Sequence, residues 1–184
     1  MPLYPTVPSN SVSIIPPDTY QAVCFAVIDV GTHVNKAFDN KYQRQVVIGW
    51  EIVAPDAKPD EKRKTIFKIY TNSCNPKSTL YKDLVSWRGA NFKDDELSKF
   101  DLFRVISANC LLQIINVTRN NRTYNNIASI MKLPATAKVA LPQNPIIKYS
   151  IEENGFNWPQ TLPGWIKEHI KKSEEYKAIE NELK

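Results

Sequence analysis

The sequence predicts a mostly β domain with helices between its third and fourth strands. Residues 20–30, 44–53 and 65–71 are rich in β-branched, aromatic and other apolar side chains, which is typical of strands. After residue 75 the spacing of the apolar residues becomes that of a helix. It returns to strand character in two runs, residues 110–118 and 123–133, on either side of an asparagine-rich turn.

The first two strands differ in the pattern of their apolar residues. Residues 20–30 are apolar on both faces, which indicates a central strand that ends at Gly31. Residues 44–53 alternate between apolar and polar positions, which predicts that Trp50 faces the core. The apolar side of this strand consists of Val46, Ile48, Trp50 and Ile52. A polar loop over residues 33–43 is expected to join the two strands.

Helices are predicted at three places. A turn and cap signal at residues 75–78 begins the first helix, Trp87 is its largest apolar anchor, and Gly89 ends it. Residues 94–100 predict a second, short helix, with acidic residues at its N-terminus, where the helix dipole favours negative charge. Residues 163–183 predict a C-terminal helix.

This order of elements is that of a five-stranded oligonucleotide-binding (OB-type) β-barrel, with helices between strands 3 and 4 and a C-terminal helix. An α+β sandwich would fit the same composition and periods. Residues 1–17 hold five of the thirteen prolines and are expected to form an extended arm. Residues 18–150 would form the barrel domain, and residues 151–184 a tail with its helix.

The composition excludes several classes of protein. The chain of 184 residues has 42% apolar and 23% charged residues, which is ordinary for one soluble domain. No apolar run approaches the roughly 18 residues of a membrane span, and no secretory signal is recognised. Cys24, Cys74 and Cys110 are scattered and fit a reducing compartment. We therefore expect a cytoplasmic protein without a membrane partner.

The sequence holds few of the groups that catalysis needs. His33 and His169 lack the neighbouring ligands of a zinc site, and glycine-rich phosphate loops are absent. The acidic cluster at residues 94–96 could ligate a divalent metal, but it lies where a helix start favours acids. We therefore expect a non-enzymatic protein without a cofactor or metal. A metal-dependent nuclease that uses this cluster or Asp29 is a less favoured alternative.

Charge is concentrated in one part of the chain. The net charge is +5, and residues 104–149 contain six lysines or arginines and no acidic residue. Such a block favours a polyanion as the partner. A basic surface that only improves solubility is the alternative.

Basic residues alternate with aromatic and amide residues on the predicted strands and loops, a combination typical of proteins that hold single-stranded nucleic acid. The candidate phosphate contacts are Lys36, Lys41, Arg44, Lys68, Arg119 and Arg122. The candidate stacking residues are Tyr42, Tyr70 and Tyr124, with Asn126 beside them. Tyr70 and Tyr124 would pack in the core under the alternative interpretation.

Several segments resemble a family of small phage and prophage proteins. The resemblance is carried by residues 20–32 (YQAVCFAVIDVGT) and 119–134 (RNNRTYNNIASIMKLP), with further similarity at 69–72, 75–80 and 149–156. Members are regarded as single-stranded DNA-binding or replication-associated proteins with an OB-like core. The resemblance implies sequence-tolerant binding of single-stranded DNA during phage DNA replication or recombination in the host cytoplasm.

The chain departs from many bacterial single-strand binders at its C-terminus. Residues 180–184 form no acidic tail with a terminal aromatic residue, so partner recruitment by such a tail is not expected. The terminal helix would instead dock on the barrel or on another subunit, which leaves a homodimer open. A second hypothesis is a protein-interaction module that regulates a phage or host replication or recombination enzyme through the arm and this helix.

Overall fold

Five antiparallel strands and one short parallel strand form a single sheet. The computed structural model describes residues 14–37, 39–58 and 60–184. The strands are β1 Asp18–Asn35, β2 Lys41–Val53, β3 Thr65–Thr71, β4 Asn109–Arg119, β5 Arg122–Lys132 and β6 Ile147–Tyr149. The helices are α1 Thr79–Arg88, α2 Asp94–Leu97, α3 Ile151–Asn154, α4 Gly164–Ile170 and α5 Glu174–Glu182, with a short 3₁₀ helix at Leu102–Val105.

Strand β1 organises the sheet because it pairs with three other strands. It pairs with β2 from Gln21 to Asn35 and with β4 from Asp18 to Val23, both antiparallel. Beyond Val23 the parallel strand β6 pairs with residues 26–28. Residues 21–23 and 26–28 of this strand therefore have paired strands on both sides, which gives their backbone hydrogen-bonding groups partners. Register shifts between Cys24 and Ala26 and between Asp29 and Gly31 interrupt its pairing with β2.

The sheet is open, with the order β3-β2-β1-β4-β5. Strands β3 and β5 approach within 8 Å between Cα atoms but form no ladder among the described residues. Helix α1 bridges these two edges. Asp83 of α1 accepts hydrogen bonds from Lys68 Nζ and Tyr70 OH of β3, and Ser86 Oγ donates to the Ile130 carbonyl of β5. The mostly β prediction is confirmed, whereas the sheet has six strands instead of five and is not a closed barrel.

The main core lies between the inner face of the sheet and α1. Trp50 is fully buried and Trp87 is 7% exposed, with their ring centroids 5.6 Å apart. The predicted core side of β2 is confirmed, as is Trp87 as the anchor of its helix. Helix α1 begins after Ser78, whose side chain accepts from the Tyr81 amide, and ends at Gly89, as the turn and cap signals predicted.

The outer face of β1 and β2 is buried as well, because the C-terminal segment covers it. Side chains of β1 and β2 pack there against β6, α3 and α4 in a second apolar cluster. Its fully or almost fully buried members are Phe25, Ala26, Ile28, Val30, Val47, Ile147, Tyr149, Ile151, Leu162, Ile166 and Ile170. Of the two predicted docking positions for the terminal helix, the structure shows the one on the chain's own sheet.

The predicted single helix over residues 163–183 is two helices. Helix α4 ends at Ile170, and buried Ser173 caps the start of α5 by accepting from the Tyr176 amide. Gly31 has a φ of 79°, and a Cβ at this position would lie 2.6 Å from Ser173 Cβ. The backbone amide and hydroxyl of Thr32 both donate to the Glu175 carboxylate at 2.6 Å. A glycine at the bulge in β1 therefore allows the N-terminus of α5 to approach the sheet closely.

Several strands and helices have different boundaries from those predicted. Strand β1 continues to Asn35 and β2 begins at Lys41, so His33, Tyr42 and Arg44 are strand residues and the connecting loop is shorter than predicted. The predicted helix over 94–100 is the one-turn helix α2, followed by the 3₁₀ helix. Within the described ranges, no helix has the length and apolarity needed to cross a membrane.

The predicted N-terminal arm lies largely outside the described residues, because residues 1–13 are not among them. Ile15 is 3% exposed, and its backbone is held by one side chain of β5. The Ile15 amide donates to Asn125 Oδ1 at 2.8 Å, and Asn125 Nδ2 donates to the Ile15 carbonyl at 2.7 Å. The chain is thus fixed to the β4–β5 hairpin three residues before β1 begins.

Candidate nucleic-acid interface

The β4–β5 hairpin ends in a tight basic turn. Asn120 and Asn121 have φ values of 50° and 59°, so both central residues adopt the left-handed conformation of a type I′ turn. Asparagine tolerates this conformation better than most side chains do. The turn pairs Arg119 directly with Arg122, and both side chains are exposed.

The register of the hairpin places four predicted site residues on one exposed face. Cys110, Leu112 and Ile114 of β4 are buried in the core, so the intervening positions of β4 face outward. The cross-strand pairs on that outward face are Gln113–Ser129, Ile115–Asn126, Val117–Tyr124 and Arg119–Arg122. Tyr124 is 51% exposed and Ile115 is 36% exposed. We call this surface, formed by the outward residues at positions 113–119 and 122–129, the hairpin face.

In the part of the chain that the structure describes, the cations of the hairpin face have no carboxylate partner. Among the described residues, none of the six basic residues in the acid-free block 104–149 lies within 4.0 Å of a carboxylate. The ion-paired cations lie elsewhere, at Arg44, Arg63, Lys68, Arg88, Lys171 and Lys177. Arg119 and Arg122 are therefore free to bind anions. The exposed Tyr124 ring lies two residues after Arg122 in β5, on the same face of the hairpin.

The tip of the β1–β2 hairpin forms a second exposed group. Lys36 and Lys41 are exposed there, and Tyr42 is 64% exposed opposite Val34, which is 42% exposed. This tip lies at the C-terminal end of β1. The β4–β5 tip lies beyond the N-terminal end of β1, where Asp18 pairs with Ile114. The strand register therefore places the two predicted loops at opposite ends of β1.

Arg44 is engaged within the protein. Its guanidinium contacts both carboxylate oxygens of Asp29, at 3.1 and 2.6 Å, and Glu152 at 2.6 Å. The hydrogen bond to Asp29 is the main cause that raises the pKa of Arg44 above its usual value. Arg44 thus joins the sheet to α3 through two ion pairs. Because its charge is already balanced, it does not belong to the proposed interface.

Lys68 and Tyr70 are also unavailable to a ligand. Lys68 forms an ion pair with Asp83 at 2.7 Å, and its ammonium lies 5.0 Å from the centre of the Tyr70 ring. Tyr70 is 3% exposed, so its ring belongs to the core, as the alternative interpretation had it. Burial is the main cause that raises the pKa of Tyr70, and the nearby Asp83 carboxylate raises it further.

Two features were not visible in the sequence. His33 and His169 stack with ring centroids 4.1 Å apart, although they are far apart in the chain. His33 is buried in β1, where the sequence predicted a polar loop. The second feature is the cover over the outer face of β1 and β2, which leaves the hairpin face and the β1–β2 tip as exposed parts of the described sheet that carry unpaired cations. In the sequence, the acid-free stretch of residues 104–149 indicated the unpaired cations of the hairpin face but not the cover.

The acidic cluster at residues 94–96 forms the first turn of α2. The Glu96 carboxylate accepts from the Lys93 amide at 3.3 Å and pairs with Arg88 at 2.6 Å. These contacts are those of a helix cap. Asp29 is likewise occupied by Arg44. No group of three or more metal-ligating side chains occurs among the residues that the structure covers.

The sequence was compared with models of known protein families and with curated proteins. No family model matches the chain, and no curated protein matches it.

Proposed function

We propose that this protein binds single-stranded DNA without sequence preference, on the hairpin face. The observation that carries the proposal is the position of Arg119, Arg122, Tyr124 and Asn126 on one exposed face, where the described residues offer the two arginines no carboxylate partner. The resemblance of residues 20–32 and 119–134 to phage proteins supports a role in phage DNA replication or recombination. The host cytoplasm is the corresponding location.

We further propose that the sheet is an open variant of the OB-type barrel. The order β3-β2-β1-β4-β5, with α1 inserted between β3 and β4 in the sequence, supports this assignment. The approach of β3 to β5 and the bridging contacts of α1 at both edges support it further. The departure from other OB-type sheets is the C-terminal cover on β1 and β2, which moves the proposed binding to the hairpin.

The chemistry of the hairpin face suits single strands better than duplexes. Arginines at the tip would contact phosphates, and the exposed Tyr124 ring would stack on an unpaired base, worth about 1–3 kcal/mol per base. Stacking tolerates any base because every base has a flat aromatic face. A duplex presents its bases already stacked, so Tyr124 would contribute little to its binding.

The proposal is tested by titrating the full chain with a fluorescent oligothymidine at several salt concentrations, beside a duplex of equal length. We expect affinity for the single strand to fall steeply with salt, because bound cations release counterions. We expect far weaker binding of the duplex. Salt-independent binding, or equal affinity for both, would contradict the proposal.

Variants assign the binding to the hairpin face. Tyr124→Ala should weaken oligothymidine binding about tenfold, in line with the loss of one stacking contact. The double variant R119Q/R122Q should weaken it further and lower the salt dependence. The matched control K58Q/K82Q removes two exposed charges outside the hairpin and should bind like the wild type. Tyr42→Ala measures the contribution of the β1–β2 tip separately.

A further inference from the structure

A groove of about 730 Å³ lies between the helical segment and the chain that leaves β5. Side chains of α1, α2 and the 3₁₀ helix form one wall, and residues 132–139 form the other. Trp87, Val105 and Leu84 close its floor. The volume lies within the range of roughly 300–1,000 Å³ that is usual for small-molecule sites.

Two aromatic rings, Phe92 and Phe100, contribute to the helical wall of the groove. Phe92 and Phe100 are half-buried, with centroids 5.0 Å apart in an edge-to-face arrangement. The Arg88 guanidinium lies 4.7 Å from the centre of the Phe92 ring, and Tyr81 lies 6.2 Å from the same ring. Phe92 is therefore held in place by three neighbours, and as a lining residue of the groove it can present an aromatic surface to a flat ligand.

The charge of the groove is positive. Lys99, Arg104 and Lys132 are exposed lining residues, and in the described part of the chain none of them is ion-paired. Arg88 is balanced by Glu96, and Asp95 is the remaining carboxylate in the lining. The lining thus holds four cations against two acids.

The position of Lys132 is set by a glycine. Gly89 ends α1 with a φ of 74°, and a Cβ there would lie 2.6 Å from Lys132 Cδ. The aliphatic part of Lys132 therefore packs on the end of α1, where the two walls of the groove meet. A larger residue than glycine would push the lysine away.

We propose that this groove binds one nucleotide unit of a single strand, with its base against Phe92 and Phe100. Its phosphate would contact Lys99, Arg104 or Lys132. An aromatic wall beside unpaired cations is complementary to a flat base that carries an anionic group. The inference rests on the proposed single-strand binding. It adds a second contact, separated from the basic turn by the length of β5, about 33 Å for a fully extended strand of this length.

The probes are thymidine 5′-monophosphate and oligothymidine, titrated into the full chain by calorimetry. We expect the wild type to bind the mononucleotide weakly and F92L or K99Q/R104Q to lose that binding. Phe92→Leu keeps the apolar volume, and thermal unfolding of each variant checks that the fold is intact. Both variants should also weaken oligothymidine binding about tenfold. K58Q/K82Q is again the control for charge.

The outcomes separate this inference from the proposed function. If F92L and K99Q/R104Q bind both probes with wild-type affinity, the groove is not a nucleotide site. The proposed DNA binding on the hairpin face would be unaffected by that result. Loss of oligothymidine binding in these variants, with Tyr124→Ala and R119Q/R122Q unaffected, would support the groove and overturn the hairpin face. A wild-type chain that binds neither probe would overturn both.

Discussion

Arg119 lies directly opposite Arg122 in the β4–β5 ladder, at the pair that closes the hairpin. Like charges at directly opposed positions destabilise a sheet. No carboxylate in the described residues offsets them through an ion pair. The pair is therefore unfavourable for the isolated fold and favourable for binding an anion.

Arg119→Gln should leave the thermal midpoint unchanged or raise it slightly, because it removes this repulsion. The same change should weaken oligothymidine binding and lower the slope of log affinity against log salt by about 1. Thermal unfolding and salt-titrated binding measure the two effects. A clear loss of stability would mean that Arg119 has a structural role that the hairpin geometry does not show.

Glu51 is a fully buried carboxylate that holds the segment before β6 on the sheet. It accepts from the Gln143 and Asn144 amides at 2.7 and 2.9 Å, from Asn144 Nδ2 at 2.6 Å and from Arg63 at 2.6 Å. Glu51→Gln replaces one accepting oxygen with a donor and leaves the Arg63 guanidinium without its carboxylate partner, with only the Leu141 carbonyl still accepting from it. We expect it to lower the free energy of unfolding by about 3–5 kcal/mol, as loss of one member of a buried ion pair does.

The same group predicts an acid-dependent loss of stability. Burial alone would raise the pKa of Glu51, but the hydrogen bonds from residues 143–144 and Arg63 outweigh it and hold the pKa below its usual range. The folded state therefore binds the proton less readily than the unfolded chain. Stability is fully present above about pH 4.3, the usual glutamate pKa, and falls as the pH drops through the lower folded pKa. Denaturation curves for Glu51→Gln should lack this component, and Glu61→Gln on the exposed loop is the control.

The stacked histidines predict a second pH effect. Burial lowers the pKa of His169 below its usual value, and the neighbouring His33 and Lys172 lower it further. Protonation is thus harder in the folded protein than in the unfolded chain. The stabilising contribution is complete above about pH 6.5 and is lost as the pH falls through that value toward the lower folded pKa. Urea midpoints should therefore fall on acidification between about pH 7.5 and 5.

His169→Gln removes the titrating ring that stacks on His33 and faces Gln45. It should flatten the pH dependence of the urea midpoint in this range. A variant that keeps the wild-type pH dependence would assign the effect to other groups.

The C-terminal cover should be required for stability. Ile166 and Ile170 of α4 are fully buried against the outer face of β1 and β2. Each change to alanine should cost about 2–5 kcal/mol, the range for large-to-small changes in a core. Deletion of residues 163–184 should expose an apolar sheet face and cause aggregation, measured by light scattering. A soluble, folded truncation with an unchanged thermal midpoint would contradict the docking of α4.

Docking of the terminal helices on the sheet restricts the variants that can test the interaction hypothesis. A terminal helix that served only to recruit a partner could be removed without loss of DNA binding. Because α4 and α5 are part of the second apolar cluster, their deletion would remove the fold together with any partner surface. Exposed changes on α5, such as Glu180→Gln, are the appropriate probes of partner binding.

Local patterns were sufficient for most of the secondary structure. The strand over residues 65–71, the helix between Ser78 and Gly89 and the hairpin around Asn120 and Asn121 have strong local signals, namely alternation, caps and turn residues. The lengthening of β1 and β2 was not predicted because residues 33–43 are polar. Residues 33–35 and 41–43 are held in strand form by pairing with each other, a contact between segments that a local period does not report.

The sequence by itself determined that the protein is mostly β, that Trp50 and Trp87 belong to its core, and that residues 104–149 carry unbalanced positive charge. The tertiary structure alone decided which cations remain free. Arg44 and Lys68 are neutralised by carboxylates of other elements, whereas Arg119 and Arg122 are not. The physical reason is that charge pairing and burial depend on which segments meet in space. Composition and period describe each segment alone.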